Sequence, residues 1–199
     1  MAVNVLVVLA KGFEELEAIS VIDVLRRADC NVIVAKVEAN VEEKLEFKND
    51  ILDSNLIVES QKGVKVVADK FLNAVDCKSL DGIVFPGGWE GTQNLIASSI
   101  LKEVLEKLNA KGKIIAAICA APLALFKHGI LKEQSFTCYP SIEKMIENPH
   151  YKADSNVIQE GNVITSRGPA TALEFAFYLA SVFVGKQKTK EIQAEMLAL

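Results

Sequence analysis

The chain has 199 residues, half of them hydrophobic, and 22 Lys and Arg against 26 Asp and Glu give a formal net charge of −4. That composition excludes intrinsic disorder and suits one domain over residues 1–199, since domains span roughly 100–200 residues, while the mild acidity lacks the basic footprint of a nucleic-acid binder. The four cysteines, Cys30, Cys77, Cys119 and Cys138, contain no CxxC pair, so neither a disulfide framework nor a metal site is expected; with no basic leader and no apolar run near the roughly 20 residues of a membrane span, the reading is a cytoplasmic chain with free thiols.

Residues 3–10, a short β-branched apolar run, predict a strand buried on both faces. Lys11-Gly12-Phe13 breaks it. Over 14–28, Leu16, Ile19, Ile22 and Leu25 recur at intervals of three, with Glu15, Asp23, Arg26 and Arg27 elsewhere. This predicts an amphipathic helix whose apolar stripe is that quartet and whose positive end is matched by Glu14 and Glu15. Residues 31–37 return as a strand, and strand–helix–strand is the opening of a parallel sheet. The charge-rich stretch 38–60 reads as a surface excursion. Residues 56–58 and 64–67 predict a hairpin around Gln61-Lys62-Gly63.

Residues 82–85 predict a strand ending in Pro86-Gly87-Gly88. A helix follows over 92–111, broken near Ser98-Ser99. Residues 113–118 are another buried strand, with Cys119 at its end, and a helix is predicted over 121–128, with Pro122 in its first turn. A second hairpin is predicted from 156–159 and 162–165 around Glu160-Gly161. Residues 170–184 form a core helix stopped by Gly185, and 189–197 a terminal helix. The architecture is a three-layer α/β/α sandwich with a mostly parallel, flavodoxin-like sheet. In such sheets chemistry gathers at the carboxyl ends of the strands.

Three strands end in unusual residues. Ala117-Ile118-Cys119-Ala120-Ala121-Pro122 places small residues around a strand-to-helix turn, which describes a nucleophile elbow holding one side chain clear of the sheet. Backbone N–H groups of the following helix would lower the thiol pKa. On spacing alone Cys119 is equally a small buried hydrophobe. Pro86-Gly87-Gly88 is either a turn or a backbone surface offering N–H donors to an oxyanion. Glu17, placed beyond the first helical turn, reads as a solvated glutamate unless other residues recruit it. Cys30 and Cys77 read as packing thiols, and Cys138 precedes a turn at Tyr139-Pro140. His128 and His150 read as capping or surface residues.

Taken together, these segments resemble the ThiJ/PfpI (DJ-one) superfamily, in its parkinsonism-associated deglycase and glyoxalase III-like branch. Ala10-Lys11-Gly12-Phe13-Glu14-Glu15-Leu16-Glu17-Ala18 is similar to the opening motif, and Phe85-Pro86-Gly87-Gly88 with Thr92-Gln93-Asn94-Leu95 to the middle one. The 116–122 elbow and Thr165-Ser166-Arg167-Gly168-Pro169-Ala170-Thr171 resemble the remaining two. The resemblance implies that Cys119 is the nucleophilic, oxidation-sensitive cysteine and Glu17 its proton-shuttling partner. It implies that the N–H groups of Gly88 and Ala120 form the oxyanion pocket. Gly87, Tyr139 and Pro169 are further pocket candidates. It implies no cofactor, a small dicarbonyl or glycated substrate, and a homodimer with the first helix near the interface, where Arg26 and Arg27 pair across it or stay solvated.

This chain departs from the pattern in three places. Tyr139 stands where the branch often has His, so imidazole assistance is not expected. Ala121 replaces a glycine. The stretch 41–55 is longer than typical and is expected to alter the pocket rim or a surface loop. The functional readings are a cysteine-dependent glyoxalase or protein deglycase, a redox sensor or redox-regulated chaperone using the same thiol, and, weakest, a glutamine-amidotransferase-like hydrolase, which needs a His base. Ala120 directly after the cysteine, where the protease-like branch has His, argues against proteolysis.

Overall fold

The computed structural model describes residues 2–37 and 54–198. The 41–55 stretch lies outside the described residues except for its last two. In chain order the elements are β1 (Asn4–Leu9), α1 (Glu15–Arg27), β2 (Asn31–Lys36), β3 (Ile57–Glu59), β4 (Lys65–Val67), β5 (Lys70–Phe71), β6 (Gly82–Phe85), α2 (Trp89–Ala97), α3 (Ser99–Ala110), β7 (Ile114–Ile118), α4 (Pro122–Lys127), β8 (Val157–Glu160), β9 (Val163–Ser166), α5 (Ala172–Val184) and α6 (Lys186–Glu195). Among the described residues, seven strands form one sheet in the order β5-β2-β1-β6-β7-β9-β8. Every pairing is parallel except β8 with β9 at the edge. β3 and β4 form the first expected hairpin, antiparallel and separate from the main sheet.

The sheet separates two apolar layers because successive strand residues face opposite ways. Val5, Val7 and Leu9 of β1 join Val84, Ile118 and Ile164 in packing against α1, α5 and α6. Leu6 and Val8 join Ile83, Phe85 and Ile115 against α2, α3 and α4. This is the expected three-layer sandwich. Strand order reverses at β1: β2 lies on one side and β6, β7 and β9 on the other. A reversal of this kind opens a crevice at the strands' carboxyl ends. The β1–α1 turn, the β6–α2 turn and the β7–α4 turn all meet there.

Several boundaries differ from the sequence reading for local reasons. The break at Ser98 is real: Ser98 ends α2 and caps α3, its Oγ accepting the Leu101 N–H at 3.3 Å. α2 begins at Trp89 rather than residue 92 because Gly88, at φ +87°, turns the chain straight from strand end into helix. α6 likewise begins immediately after Gly185. β5 is only two residues long and carries no periodic signal of its own.

The larger correction concerns α1. Its buried residues are Glu17, Ala18, Ser20, Val21, Ile22, Val24 and Leu25, whereas Leu16 is 52% and Ile19 44% exposed. A spacing of three drifts about 60° per step on a helix of 3.6 residues per turn, so Leu16 and Leu25 stand roughly 180° apart. The predicted stripe winds around the helix instead of marking one face. Arg26 and Arg27 are partnered within the chain, by Asp69 at 3.9 Å and Asp23 at 3.0 Å.

Candidate active site

Cys119 follows the last residue of β7 and sits at φ +65°, a left-handed conformation rare for a residue with a side chain. Its backbone is pinned on both sides. The Cys119 N–H donates to the carbonyl of Ser166 at the end of β9, at 3.0 Å, and the Cys119 carbonyl accepts the Tyr139 N–H at 2.9 Å. Ala117, Ala120 and Ala121 are buried around the turn, so little side-chain volume opposes it. This is the strained elbow the small residues predicted. α4 is shorter than predicted, six residues from Pro122 to Lys127, so its dipole adds little.

Glu17 reaches the same point from α1. Because the helix starts at Glu15, Glu17 lies within the first turn, not beyond it. Glu14 makes that start: it is the N-cap, and its Oε2 accepts the Glu17 N–H at 2.8 Å. Glu14 is itself buried and its N–H donates to the Gly87 carbonyl at 3.0 Å, so the cap is anchored to the β6–α2 turn. Sequence reasoning treated Glu14 as a dipole-matching charge and missed this role. A carboxylate three residues ahead of Glu17, at a helix start, is the signal that marks it.

The Glu17 carboxyl is fully buried. Its Oε2 accepts the Gly87 N–H at 2.7 Å, and the carboxyl sits beside the Cys119 thiol, each group acting on the other's titration. Its Oε1 is buried with no hydrogen-bond partner. Burial, reinforced by the neighbouring Glu14 charge, raises the carboxyl from 4.5 to about 8 against the lowering pull of the Gly87 N–H. Glu17 therefore holds a proton at neutral pH.

The thiol moves up, not down as the elbow alone suggests. Burial is the largest cause, followed by the Glu17 charge and its hydrogen bond; the N–H groups of Gly88 and Ala120 pull the other way. The Glu17 contributions exist only while that carboxyl is ionised. Once protonated, it ceases to repel a thiolate and donates its O–H to sulfur. Protonation of Glu17 thus removes the repulsion that opposes a Cys119 thiolate, while burial continues to oppose it.

Of the other predicted residues, Gly88 and Ala120 both reach the sulfur through their N–H groups. Gly87 packs directly on the pair: a Cβ there would stand 2.6 Å from Cys119 Cβ and 2.9 Å from Glu17 Oε2. Tyr139 contributes its backbone N–H to the elbow, and its ring lies over Gly168, whose Cβ position is 3.2 Å from Tyr139 Cδ2. Pro169, the next residue, opens a short 3-10 turn at that edge. His128 caps α4 and bonds the Leu95 carbonyl through Nε2 at 2.9 Å, and His150 is exposed in a loop. Neither is among the groups acting on the thiol. Cys138 is fully buried, with its thiol raised to about 12.

Residues 3–181 match the sequence profile of the DJ-1/PfpI family. Protein dj-1beta of Drosophila melanogaster is 38% identical over 99% of this chain and 98% of its own length. The crystal structure of Drosophila melanogaster DJ-1beta superposes with a TM-score of 0.88, covering 99% of this chain and 98% of that one at 37% identity. An oxidized Toxoplasma gondii DJ-1 structure gives a TM-score of 0.85 at 36% identity, over 98% of both chains. The glutathione-independent glyoxalase DJR-1.2 of Caenorhabditis elegans is 34% identical over 90% of this chain and 87% of its own. With a sandwich, an elbow cysteine and full-length relatives in agreement, the chain belongs to the DJ-1/PfpI family.

Proposed function

We propose that the chain is a cofactor-independent glyoxalase of the glyoxalase III or deglycase type, acting on methylglyoxal, glyoxal or their adducts. The observation that carries this reading is the buried, electrostatically coupled pair of Cys119 and Glu17, with the N–H groups of Gly88 and Ala120 acting on the same sulfur. A glyoxalase activity is named for the Caenorhabditis elegans relative.

The chemistry closes without an external oxidant. The Cys119 sulfur adds to the aldehyde carbon, forming a C–S bond, and the carbonyl electron pair moves to an oxygen facing the Gly88 and Ala120 donors. Glu17 protonates that oxygen. It then removes the hydrogen of the former aldehyde carbon as a proton and returns one to the adjacent carbon. The first carbon is oxidised to a thioester and the second reduced to an alcohol. Water hydrolyses the thioester, releasing a 2-hydroxy acid and the thiol. Cys119→Ser is expected to abolish turnover of methylglyoxal, followed by loss of the dicarbonyl and appearance of lactate; retained turnover overturns the reading.

A second reading rests on the same donors. Two backbone N–H groups and a protonated Glu17 around one sulfur suit a sulfinate as well as a thiolate, and the Toxoplasma gondii relative was solved oxidized. Mild peroxide is expected to add two oxygens to the intact mass of the wild type and none to Cys119→Ala. We further propose a homodimer and a cytoplasmic location, where a reducing milieu keeps the thiol free. Among the described residues no helix is long and apolar enough to cross a membrane.

A further inference from the structure

The left-handed backbone of Cys119 is held from outside through both of its peptide groups. On one side its N–H donates to the Ser166 carbonyl at 3.0 Å, and on the other its carbonyl accepts the Tyr139 N–H at 2.9 Å. These two anchors come from different parts of the chain. A run of side-chain hydrogen bonds joins them.

Ser166, fully buried, is the last residue of β9. Its Oγ lies 2.7 Å from the Asn156 carbonyl and 2.8 Å from Thr171 Oγ1. Thr171 Oγ1 lies 3.2 Å from the Gly168 nitrogen and 2.9 Å from the Gly168 carbonyl. The proton count sets the direction. A carbonyl only accepts, so the Ser166 hydroxyl donates to Asn156. The single Thr171 hydroxyl proton then has two acceptors within reach, and the Gly168 carbonyl is already supplied by the Thr171 N–H at 2.8 Å. The Thr171 hydroxyl therefore serves Ser166 while accepting the Gly168 N–H. Gly168 in turn packs on Tyr139: a Cβ there would stand 3.2 Å from Tyr139 Cδ2. The path is closed, from the Cys119 N–H through Ser166, Thr171, Gly168 and Tyr139 back to the Cys119 carbonyl.

We propose that Ser166 and Thr171 are positioning residues that hold the Cys119 elbow where the Gly88 and Ala120 N–H groups act on its sulfur. Neither hydroxyl is among the groups acting on the thiol, so both work through the peptide groups of Cys119. A backbone in a sparsely populated conformation persists only while its surroundings over-determine it. The consequence for turnover rests on the glyoxalase reading, whereas the consequence for the thiol does not, and the experiment separates the two.

Thr171→Val keeps the branched shape of the side chain and removes its hydroxyl; Thr171→Ser keeps the hydroxyl. Alkylation of Cys119 by iodoacetamide is followed against pH, read by mass spectrometry on the peptide that carries it. The rise is expected at higher pH in Thr171→Val than in the wild type, because a displaced sulfur loses the two N–H groups that favour its thiolate. Glu17, which faces the thiol from α1, and Glu14 behind it are unaltered in every variant. Thr171→Ser is expected to restore the wild-type rise. With methylglyoxal, kcat is expected to fall about tenfold or more in Thr171→Val with KM little changed, the loss that a small displacement of a catalytic group brings, and to recover in Thr171→Ser. A folded Thr171→Val with the wild-type alkylation profile overturns the proposal, as does an equal shift in Thr171→Ser. If Thr171→Val does not fold, Ser166→Ala, which removes one oxygen and overpacks nothing, is measured in its place with the same expectations. If the wild type turns over no dicarbonyl, the glyoxalase reading fails, and the alkylation profiles alone decide the positioning role.

Discussion

The Gly87 N–H donates to Glu17 Oε2 at 2.7 Å, and the Gly87 Cα faces Cys119 so closely that a Cβ would fall 2.6 Å from Cys119 Cβ and 3.0 Å from the Ala120 nitrogen. One glycine therefore sets both the hydrogen bonding of the acid and the clearance of the thiol. Of the three atoms it would meet, one belongs to the strained elbow, one is backbone, and the third, Glu17 Oε2, ends a side chain that is buried and held by the Gly87 N–H.

Gly87→Ala should accordingly separate the pair. Overpacking a filled site costs about 1–3 kcal/mol, and displacement of a catalytic group by about 1 Å costs on the order of a hundredfold in rate. Thermal unfolding is expected to show a modest loss of stability, while dicarbonyl turnover falls about a hundredfold. Wild-type activity in a folded Gly87→Ala protein would show that the Cys119–Glu17 contact does not govern the chemistry.

The raised carboxyl of Glu17 makes a prediction about stability against pH. Unfolded, Glu17 loses its proton near 4.5; folded, it keeps it to about 8. Between those values the native state binds the extra proton, so stability falls as pH rises across the window, by at most about 1.4 kcal/mol per pH unit. Below about 4.5 both states are protonated and Glu17 contributes no slope. Urea unfolding of the wild type at pH 5, 6, 7 and 8, set against Glu17→Gln, is expected to show this decline in the wild type and a flatter profile in the variant. Parallel profiles would mean that Glu17 is ionised in the folded protein. The same substitution is expected to move the pH rise of Cys119 alkylation upward, since an amide N–H is a weaker donor to a thiolate than the protonated carboxyl of Glu17.

The residues that meet at the strand ends were legible because the site breaks local rules. Cys119 and Gly87-Gly88 end buried strands where loop residues are otherwise polar, and small residues around Cys119 signal a turn that larger ones would block. What escaped the sequence reading depends on tertiary position. Leu16 and Ile19 look like core residues by composition, yet α1 is rotated so that Glu17 points into the sheet ends, and the two apolar side chains are carried to the surface. Glu14 carried that spacing signal but was read only as a dipole-matching charge, because glutamate is an uncommon N-cap; its N–H bond to the β6–α2 turn holds it in place as one.

That rotation of α1 bears on assembly. Leu16 and Ile19, 52% and 44% exposed, are three residues apart on the helix and therefore adjacent. A charge placed on either should be harmless to the monomer, which buries neither. If a second copy covers this helix, full burial of one Leu or Ile contributes about 1.5–3 kcal/mol, so Leu16→Asp or Ile19→Asp should weaken the dimer by tenfold or more. Light scattering after gel filtration is expected to give twice the chain mass for the wild type. At low micromolar concentration, Leu16→Asp/Ile19→Asp should give a single chain mass with unaltered secondary structure. A wild type of single mass, or a double variant that keeps the doubled mass, would place the interface elsewhere or remove it. Arg26 and Arg27 are not expected to substitute for these contacts, because Asp69 and Asp23 already hold them within the chain.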